Sequence, residues 1–275
     1  MLEILKAILF GIVEGITEWL PISSTGHMIL LDEFVALNVS PEFLEMFLVV
    51  IQLGAIMAVV LLFWKKIFPF NFDKSKGPLL IKETWVMWFK IIVATVPAAV
   101  IGILFDDILN ELFYNYVVVS VALIVFGILF LIIETVNKNK QAKINSLAEI
   151  TYTTATLIGV FQLIAAIFPG TSRSGATIVG ALLIGVSRTV AAEFTFFLAI
   201  PVMFGASLLK IVKYGLAFSG NEIMLLAVGM IVAFVVSVIV IRFLMDFIKK
   251  HDFKVFGYYR IVLGIIVLIY FAVAG

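Results

Sequence analysis

Six long apolar stretches limit what this chain can fold into more than any other feature of its sequence. A helix needs about 20 mostly apolar residues to cross the hydrocarbon core of a bilayer. Such stretches lie at residues 43–64, 86–105, 116–135, 193–212, 223–246 and 256–274. Hydrophobic residues make up 63% of the 275 residues and charged residues 13%, whereas a typical soluble domain is about 25% charged. The sequence therefore predicts an all-α polytopic membrane protein and excludes a soluble globular enzyme.

The charge balance and the residue types that are missing narrow the possible chemistry. Nineteen Lys and Arg residues against 18 Asp and Glu residues leave a net charge of +1, so no general field attracts nucleic acid. The chain has no cysteine and only two histidines, which excludes a disulfide, a thiol nucleophile and a multi-histidine metal site. Charged residues such as Glu3, Lys6 and Glu14 interrupt the apolar N-terminal region, so we expect no cleavable signal peptide.

Two further apolar regions, residues 2–31 and 151–186, are each interrupted by a polar turn. The first contains the sequence G-I-T-E-W-L-P-I-S-S-T-G-H, and the second contains F-P-G-T-S-R-S-G-A-T. Proline, glycine and hydroxyl residues end helices at such points, and lipid cannot satisfy the backbone groups that are freed. We therefore predict that each region is a re-entrant hairpin of helix, polar turn and helix that enters and leaves the membrane on one side.

The two interrupted regions resemble each other at an offset of 148 residues, which indicates an internal repeat. The pairs Gly11/Gly159, Pro21/Pro169 and Ser24/Ser172 are identical, Glu14 aligns with Gln162, and Glu45 aligns with Glu193. The first repeat then covers residues 1–136 and the second covers residues 150–275, each a hairpin followed by three spans. Since three is an odd number of spans, the second repeat is inverted relative to the first. Two polar turns from opposite sides can then build one site.

The distribution of lysine and arginine predicts which side of the membrane each loop faces. Twelve basic residues fall on one side of the predicted spans: Lys65, Lys66, Lys74, Lys76, Lys82, Lys138, Lys140, Lys143, Arg188, Lys249, Lys250 and Lys254. The other side receives Lys6, Lys210 and Lys213. Because basic loops stay in the cytoplasm, we expect the lysine-rich side to be cytoplasmic. Both termini and the mouth of the first hairpin are then outside.

Glu14 and Glu18 lie in the first interrupted region, where an ionisable group costs about 2.5–3.5 kcal/mol even on lenient insertion scales. Because the two residues are four apart, both carboxylates share one face of a helix. Two adjacent carboxylates either disfavour each other's ionisation or bind a cation together. The alternative is a structural pair that is bonded to backbone donors. We predict a functional pair.

Three hydroxyl residues and a histidine follow Pro21, which ends the first helix of this region. Ser23, Ser24 and Thr25 are natural N-caps for the next helix, but capping explains only one of them. A hydroxyl beside a histidine and a carboxylate has the groups that an activated nucleophile requires. The spacing therefore leaves two interpretations open, a capped turn and a catalytic turn that uses Ser24 and His27.

The second turn, P-G-T-S-R-S-G-A-T from Pro169 to Thr177, has the composition of an anion site. Its glycines allow close backbone approach, and its hydroxyl and amide groups converge at a helix N-terminus. Arg173 adds a positive charge and a planar fork that suits phosphate oxygens. The alternative is a buried salt bridge from Arg173 to Glu14 or Glu18, and the two interpretations are compatible if a ligand replaces the ion pair. We predict phosphate binding at this turn.

The two motifs together resemble the signature segments of the undecaprenyl-diphosphate phosphatase family, whose members are also called bacitracin-resistance proteins. The similarity extends along the whole chain, including V-I-Q-L-G-A from Val50 and L-A-I-P-V-M from Leu198. The resemblance implies an enzyme of the bacterial cell (inner) membrane that removes the terminal phosphate of undecaprenyl diphosphate. That reaction regenerates the lipid carrier for cell-wall glycan precursors and confers bacitracin resistance. The resemblance also implies a divalent cation, Mg²⁺ or Ca²⁺, and a site open to the outer side.

The resemblance assigns candidate roles to residues of both turns. The catalytic candidates are Ser24, His27, Glu18, Glu14 and Arg173. The candidates for binding the substrate phosphates are Ser23, Thr25, Gly170, Ser172, Arg173, Ser174 and Thr177. Glu14 and Glu18 are the metal candidates, and the alternative role for one of them is that of general base. Ser24 is the candidate nucleophile with His27 as acid, base or orienting group, and direct attack by water stays open.

We expect a polyprenyl diphosphate and membrane lipid as partners, with an apolar groove for the isoprenoid and no nucleic acid, and we leave a homodimer open. The alternative function is a transporter or flippase of a phosphorylated polyprenyl carrier, because inverted repeats with broken helices are typical of transporters. A carrier of a small anion would use the same Arg173 site without an apolar groove. Orthophosphate release in detergent distinguishes hydrolysis from transport.

Overall fold

The computed structural model describes residues 1–72 and 78–274, which fold mainly into helices. The helices are α1 (Leu2–Thr17), α2 (Ser24–Val35), α3 (Pro41–Leu62), α4 (Trp64–Ile67), α5 (Lys82–Phe113), α6 (Tyr116–Asn137), α7 (Tyr152–Ile167), α8 (Arg173–Leu183), α9 (Arg188–Tyr214), α10 (Gly220–Ile248) and α11 (Lys254–Ala274). Lys74 and Lys76, two of the residues used to predict the orientation, lie outside the described residues.

Within the described ranges, six helices are long and apolar enough to cross a membrane, namely α3, α5, α6, α9, α10 and α11. They coincide with the six predicted stretches and confirm an all-α polytopic membrane protein. Helix α5 is longer than predicted, since its apolar span ends at Phe105 but the helix continues to Phe113. Asn115 then caps α6 by accepting a hydrogen bond from the amide of Val118 at 3.0 Å. Hydrophobicity therefore locates the span but not the end of its helix.

Each interrupted region forms two helices separated by a turn, as predicted. Residues 18–23 separate α1 from α2, and residues 168–172 separate α7 from α8. Helix α1 packs against α2, and α7 packs against α8. The predicted entry and exit of each hairpin on one side of the membrane stays a prediction.

The structure shifts the predicted alignment of the two turns by one residue. Ser23 caps α2 with a φ of 73°, and Ser172 caps α8 with a φ of 69°. Each hydroxyl accepts a hydrogen bond from the amide three residues later, at 3.4 and 3.2 Å. The predicted pairing of Ser24 with Ser172 is therefore wrong, because Ser23 is the structural equivalent of Ser172 and Ser24 that of Arg173. The second region contains one extra residue before its cap, which a constant offset cannot represent.

Two aligned glycines let the first helix of each hairpin pack closely on a span of the other half. A Cβ atom at Gly11 would lie 2.7 Å from the carbonyl oxygen of Gly229 in α10, and one at Gly159 would lie 2.3 Å from that of Ala94 in α5. Both distances are too short for any side chain, so only glycine allows these contacts. Because α10 lies in the second half and α5 in the first, each hairpin packs against the opposite half.

Two ion pairs link opposite ends of α3 and α9. Glu45 near the start of α3 pairs with Lys210 near the end of α9, with Oε1 and Nζ 2.5 Å apart. Lys66, which follows α3, pairs with Glu193 near the start of α9 at 2.7 Å. Helices α3 and α9 are therefore antiparallel. Since they are the first spans of the two halves, this arrangement supports the inverted repeat, which stays a prediction for the chain as a whole.

The largest buried apolar cluster surrounds the first turn, α8 and the start of α9. Trp19 is fully buried, and its ring lies edge-on to that of Phe196 with the centroids 5.3 Å apart. Ile178 of α8 belongs to the same cluster. In a membrane such contacts stabilise through close packing rather than through removal from water. This cluster holds both turns against α9.

Candidate active site

The two polar turns meet in an ion pair between Glu18 and Arg173. Nη2 of Arg173 lies 2.7 Å from Oε1 of Glu18, and the two side chains are only 14% and 7% exposed, in the order Arg173 and Glu18. The hydroxyl of Ser24 donates a hydrogen bond to the other carboxylate oxygen, Oε2, at 2.8 Å. The salt bridge that was predicted as an alternative role of Arg173 is therefore present. The two carboxylate oxygens of Glu18 contact Arg173 and Ser24, which are both candidate site residues.

A cavity of about 160 Å³ lies beside this ion pair. Its polar lining consists of Glu18, Ser24, Thr25, Gln52, Ser172 and Arg173, and its apolar lining consists of Ala165, Val202, Met203 and Ala206. Candidate residues of both turns therefore face one space. Polar groups that converge on one cavity beside an apolar wall are typical of a ligand site. Here the polar groups suit a phosphate, and the apolar wall suits a hydrocarbon chain.

The N-terminus of α8 adds backbone donors to the site. The free amide groups and the dipole at the start of a helix both favour an anion. The hydroxyl of Ser172 lies 3.1 Å from that of Ser174, which in turn donates to the backbone carbonyl of Glu18 at 3.2 Å. These hydroxyls tie the start of α8, where Arg173 lies, to the end of α1.

Four of the predicted phosphate-binding residues do not line the cavity, namely Ser23, Gly170, Ser174 and Thr177. Thr177 is fully buried, and its hydroxyl donates to the carbonyl of Arg173 and accepts from the hydroxyl of Thr195, both at 2.9 Å. Ser23 is 1% exposed and caps α2. Gly170 has a φ of 89°, a conformation that favours glycine. Ser174 is 1% exposed, and its hydroxyl donates to the carbonyl of Glu18. All four shape the turns, and their contact with phosphate stays a prediction.

His27 binds the last helix and not Ser24. Its Nδ1 donates to the carbonyl of Ser23 at 2.7 Å, because a carbonyl oxygen can only accept. In the neutral ring, Nε2 then accepts from the hydroxyl of Tyr259 in α11, also at 2.7 Å. The two rings are stacked with centroids 5.6 Å apart. Among the described residues, the base that touches the Ser24 hydroxyl is therefore the carboxylate of Glu18.

Glu14 and Glu18 are the predicted ligands of a divalent cation. Glu14 is 1% exposed, and its Oε1 has no hydrogen-bond partner among the described residues. The described part of the chain contains no group of three or more His, Cys, Asp and Glu side chains that could hold a metal ion. Mg²⁺ is commonly held by one or two carboxylates together with substrate phosphates and water. The donor set therefore fits a cation that binds together with a phosphate.

Sequence reasoning missed two residues that surround the turns. Gln52 lies in the middle of α3 and contributes to the polar lining of the cavity. Arg260 of α11 is fully buried and donates hydrogen bonds to backbone carbonyls of both turns. Each residue had a signal in the sequence, because an amide or guanidinium group within a predicted span is costly and indicates a function.

Both turns lie within the part of the chain that is similar to known proteins. The family model described as bacitracin resistance protein BacA matches residues 7–266. The chain is 70% identical to the undecaprenyl-diphosphatase of Desulfitobacterium hafniense over 272 residues, which cover 99% of this chain and 97% of that protein. It is 65% identical to undecaprenyl-diphosphatase 1 of Clostridium acetobutylicum and 61% identical to the undecaprenyl-diphosphatase of Enterococcus faecalis, each over 99% of this chain and 98% of the relative. The chain therefore belongs to the bacitracin resistance protein BacA family.

Proposed function

We propose that this chain hydrolyses undecaprenyl diphosphate to undecaprenyl phosphate and inorganic phosphate, and so recycles the lipid carrier for cell-wall synthesis and confers bacitracin resistance. One observation carries the proposal: Glu18 contacts both a hydroxyl nucleophile, Ser24, and a phosphate-binding cation, Arg173, at the edge of a cavity. The names of the most similar relatives support the same activity. They give no support to the alternative of a transporter or flippase.

Arg173 and the start of α8 bind the diphosphate in this proposal. The guanidinium group has five donors in a planar fork, of which one is bonded to Glu18 and another to the carbonyl of Thr195 at 3.4 Å. An arriving phosphate competes for this fork and also accepts from the free amides of the α8 N-terminus. Binding therefore replaces one ion pair with another and releases Oε1 of Glu18. The isoprenoid extends over the apolar side of the cavity toward lipid.

The hydroxyl of Ser24 attacks the terminal phosphorus, and Glu18 accepts the proton from that hydroxyl. The bond between phosphorus and the bridging oxygen breaks, and undecaprenyl phosphate leaves with the bridging oxygen. Water then hydrolyses the phosphoserine, which releases inorganic phosphate and restores Ser24. The 2.8 Å hydrogen bond from Ser24 to Glu18 supports this order of proton transfer.

Glu14 and Glu18 would hold Mg²⁺ or Ca²⁺ together with the substrate phosphates, and the ion would neutralise charge on the phosphate oxygens. The buried, unpartnered Oε1 of Glu14 supports this assignment. A buried carboxylate oxygen without a hydrogen-bond partner is costly, and a bound cation would offset that cost. The role of Glu14 is thus to hold the cation, whereas Glu18 also contacts the nucleophile Ser24.

The site opens to the outer face of the inner membrane, and both termini lie outside. The excess of basic residues on the opposite side supports this orientation. A reporter fused after residue 275 is expected to report an external location. A cytoplasmic location would contradict the orientation without affecting the proposed reaction.

Phosphate release in detergent tests the activity, because transport has no meaning there. The wild type is compared with Glu18→Gln, Ser24→Ala and Arg173→Ala, and with Ser187→Ala, whose hydroxyl makes no capping hydrogen bond. We expect the three site variants to lose roughly 10²–10⁴-fold in kcat and the control to retain wild-type activity. A wild type that binds the lipid but releases no phosphate would overturn the proposed function.

A second readout identifies the nucleophile. Acid quenching during turnover of substrate labelled in its terminal phosphate is expected to trap labelled wild-type protein and no labelled Ser24→Ala protein. If Ser24→Ala keeps more than a tenth of the activity, water attacks directly and Ser24 only positions the phosphate.

A further inference from the structure

Arg260 connects the two turns from the opposite side to the cavity. Its Nη1 donates to the carbonyl of Pro21 at 3.3 Å, and its Nη2 donates to the carbonyls of Gly170 and Thr171 at 3.0 and 2.7 Å. Its Nε reaches the carbonyl of Leu123 in α6 at 3.4 Å. One fully buried guanidinium group therefore holds backbone atoms of the first turn, the second turn and a span.

The chemistry of this contact is specific to arginine. The three turn carbonyls lie outside the helices and have no partner in a helical ladder, so each needs a donor inside the membrane. A planar fork with fixed donor directions can serve several carbonyls at once, whereas the single nitrogen of a lysine cannot.

The charge of Arg260 has a cost that packing alone does not explain. Among the described residues, no carboxylate forms an ion pair with Arg260, whose guanidinium lies over the face of the Phe126 ring at 5.9 Å and whose Nη1 lies against Gly175 of α8. A buried charge without an opposite charge is unfavourable unless hydrogen bonds compensate for it. An apolar side chain of similar volume would fill the space at a lower cost, so the hydrogen bonds to the turns are what this residue supplies.

We propose that Arg260 is a positioning residue that sets the register of the two turns and thereby the geometry of Glu18, Ser24 and Arg173. Pro21 follows Glu18 by three residues, and Thr171 precedes Arg173 by two, so a shift of either turn moves a reacting group. Arg260 does not line the cavity and acts only through the turns. This inference rests on the proposed phosphatase function for its kinetic part and on the geometry alone for its structural part.

Kinetics of Arg260→Lys test the proposal, with Arg188→Lys as the matched control. Arg188 binds the buried carboxylate of Glu134 at 2.5 Å and forms no hydrogen bond to either turn among the described residues, so it also has a structural role. A misplacement of about 1 Å can cost about 100-fold in rate. We expect Arg260→Lys to lower kcat about 10- to 100-fold per folded molecule with KM changed less than about threefold, and Arg188→Lys to lower only the melting temperature.

A distance measurement provides a readout that does not depend on activity. The chain has no cysteine, so spin labels can be attached at Ile16→Cys and Phe168→Cys alone, two exposed positions close to the two turns. We expect the distance distribution between the labels to broaden in the Arg260→Lys background and to stay unchanged in the Arg188→Lys background. Arg260→Met serves as a second variant that removes all the donors.

The outcomes distinguish a positioning role for Arg260 from a purely structural one. An unchanged distance distribution in Arg260→Lys overturns the proposal. A broader distribution with an unchanged kcat per folded molecule also overturns it, because Arg260 is then structural only. If the wild type releases no phosphate at all, the proposed function fails, and the distance measurement still decides whether Arg260 fixes the turns.

Discussion

Ser23 and Ser172 occupy equivalent positions in the two turns and share a left-handed backbone conformation, with φ angles of 73° and 69°. Such strained conformations cost residues other than glycine about 1–3 kcal/mol, and they persist only where the surrounding structure over-determines them. Each serine recovers part of this cost by capping its helix. The same device therefore begins both helices that border the cavity.

Replacing Ser172 separates the backbone strain from the cap. Ser172→Gly and Ser172→Ala both remove the capping hydroxyl, but only glycine relieves the left-handed strain. Ser40 is a control, because it caps α3 with an ordinary φ of −66°. We expect the stability advantage of glycine over alanine to be about 1 kcal/mol larger at position 172 than at position 40, measured by thermal unfolding in detergent. Equal advantages at the two positions would contradict the strain.

Gln52 should contribute to substrate binding through its side-chain amide in the cavity lining. Loss of a hydrogen bond to a charged group costs about 1.5–3 kcal/mol, so Gln52→Leu should lower kcat/KM about 10- to 100-fold. Met57→Leu, at an exposed position of the same helix, should leave it unchanged. The measurement is kcat/KM of both variants and the wild type with undecaprenyl diphosphate. An unaltered kcat/KM in Gln52→Leu would show that the amide makes no contact with the substrate.

The hydrogen bond from His27 to the carbonyl of Ser23 should contribute more to kcat than the hydrogen bond between His27 and Tyr259. Tyr259→Phe removes one hydrogen bond but keeps the stacked ring, so we expect less than about a tenfold loss of kcat. His27→Ala should lose more, because it also leaves the Ser23 carbonyl next to Ser24 without its donor. The neighbouring, exposed Tyr258→Phe is the control. A larger loss in Tyr259→Phe than in His27→Ala would reverse this order and assign the main role to Tyr259.

Removal of the divalent cation should abolish phosphate release, and Glu14→Gln should weaken the binding of the cation in a measurable way. With one carboxylate fewer, we expect the half-saturating Mg²⁺ concentration to rise about tenfold or more. Glu45→Gln, near the start of α3, should leave the half-saturating Mg²⁺ concentration unchanged, because Glu45 pairs with Lys210. The measurement is a Mg²⁺ titration of initial rates after chelation. A lower kcat at an unchanged half-saturating concentration would mean that Glu14 does not hold the cation.

The spans and the interrupted helices could be predicted from the sequence because they depend on local composition. A run of apolar residues identifies α6 or α10 without reference to any other helix, and Pro21 and Pro169 mark breaks in the same way. The end of α5 at Phe113 could not be predicted, because it follows from the cap of α6 rather than from hydrophobicity.

The sequence indicated several residues that the structure brings together, but not the contacts between them. Motif composition selected Glu18, Ser24 and Arg173, yet it paired the serine with His27, whereas the structure pairs it with Glu18. The helical spacing of four residues instead returns the His27 ring to the carbonyl of Ser23. Arg260 lies 239 residues from Pro21, so no local pattern relates them. Contacts of this range depend on tertiary packing.

The one-residue shift between the two turns gives the active site an unexpected symmetry. Counted from their capping serines, the proposed nucleophile Ser24 and the proposed phosphate ligand Arg173 are counterparts, each the first residue of its helix. Two identical turns would carry the same side chain at both places, either two serines without a cation or two arginines without a nucleophile. Catalysis of the proposed kind therefore requires the two turns to differ at this position, so that one turn supplies the nucleophile and the other the cation.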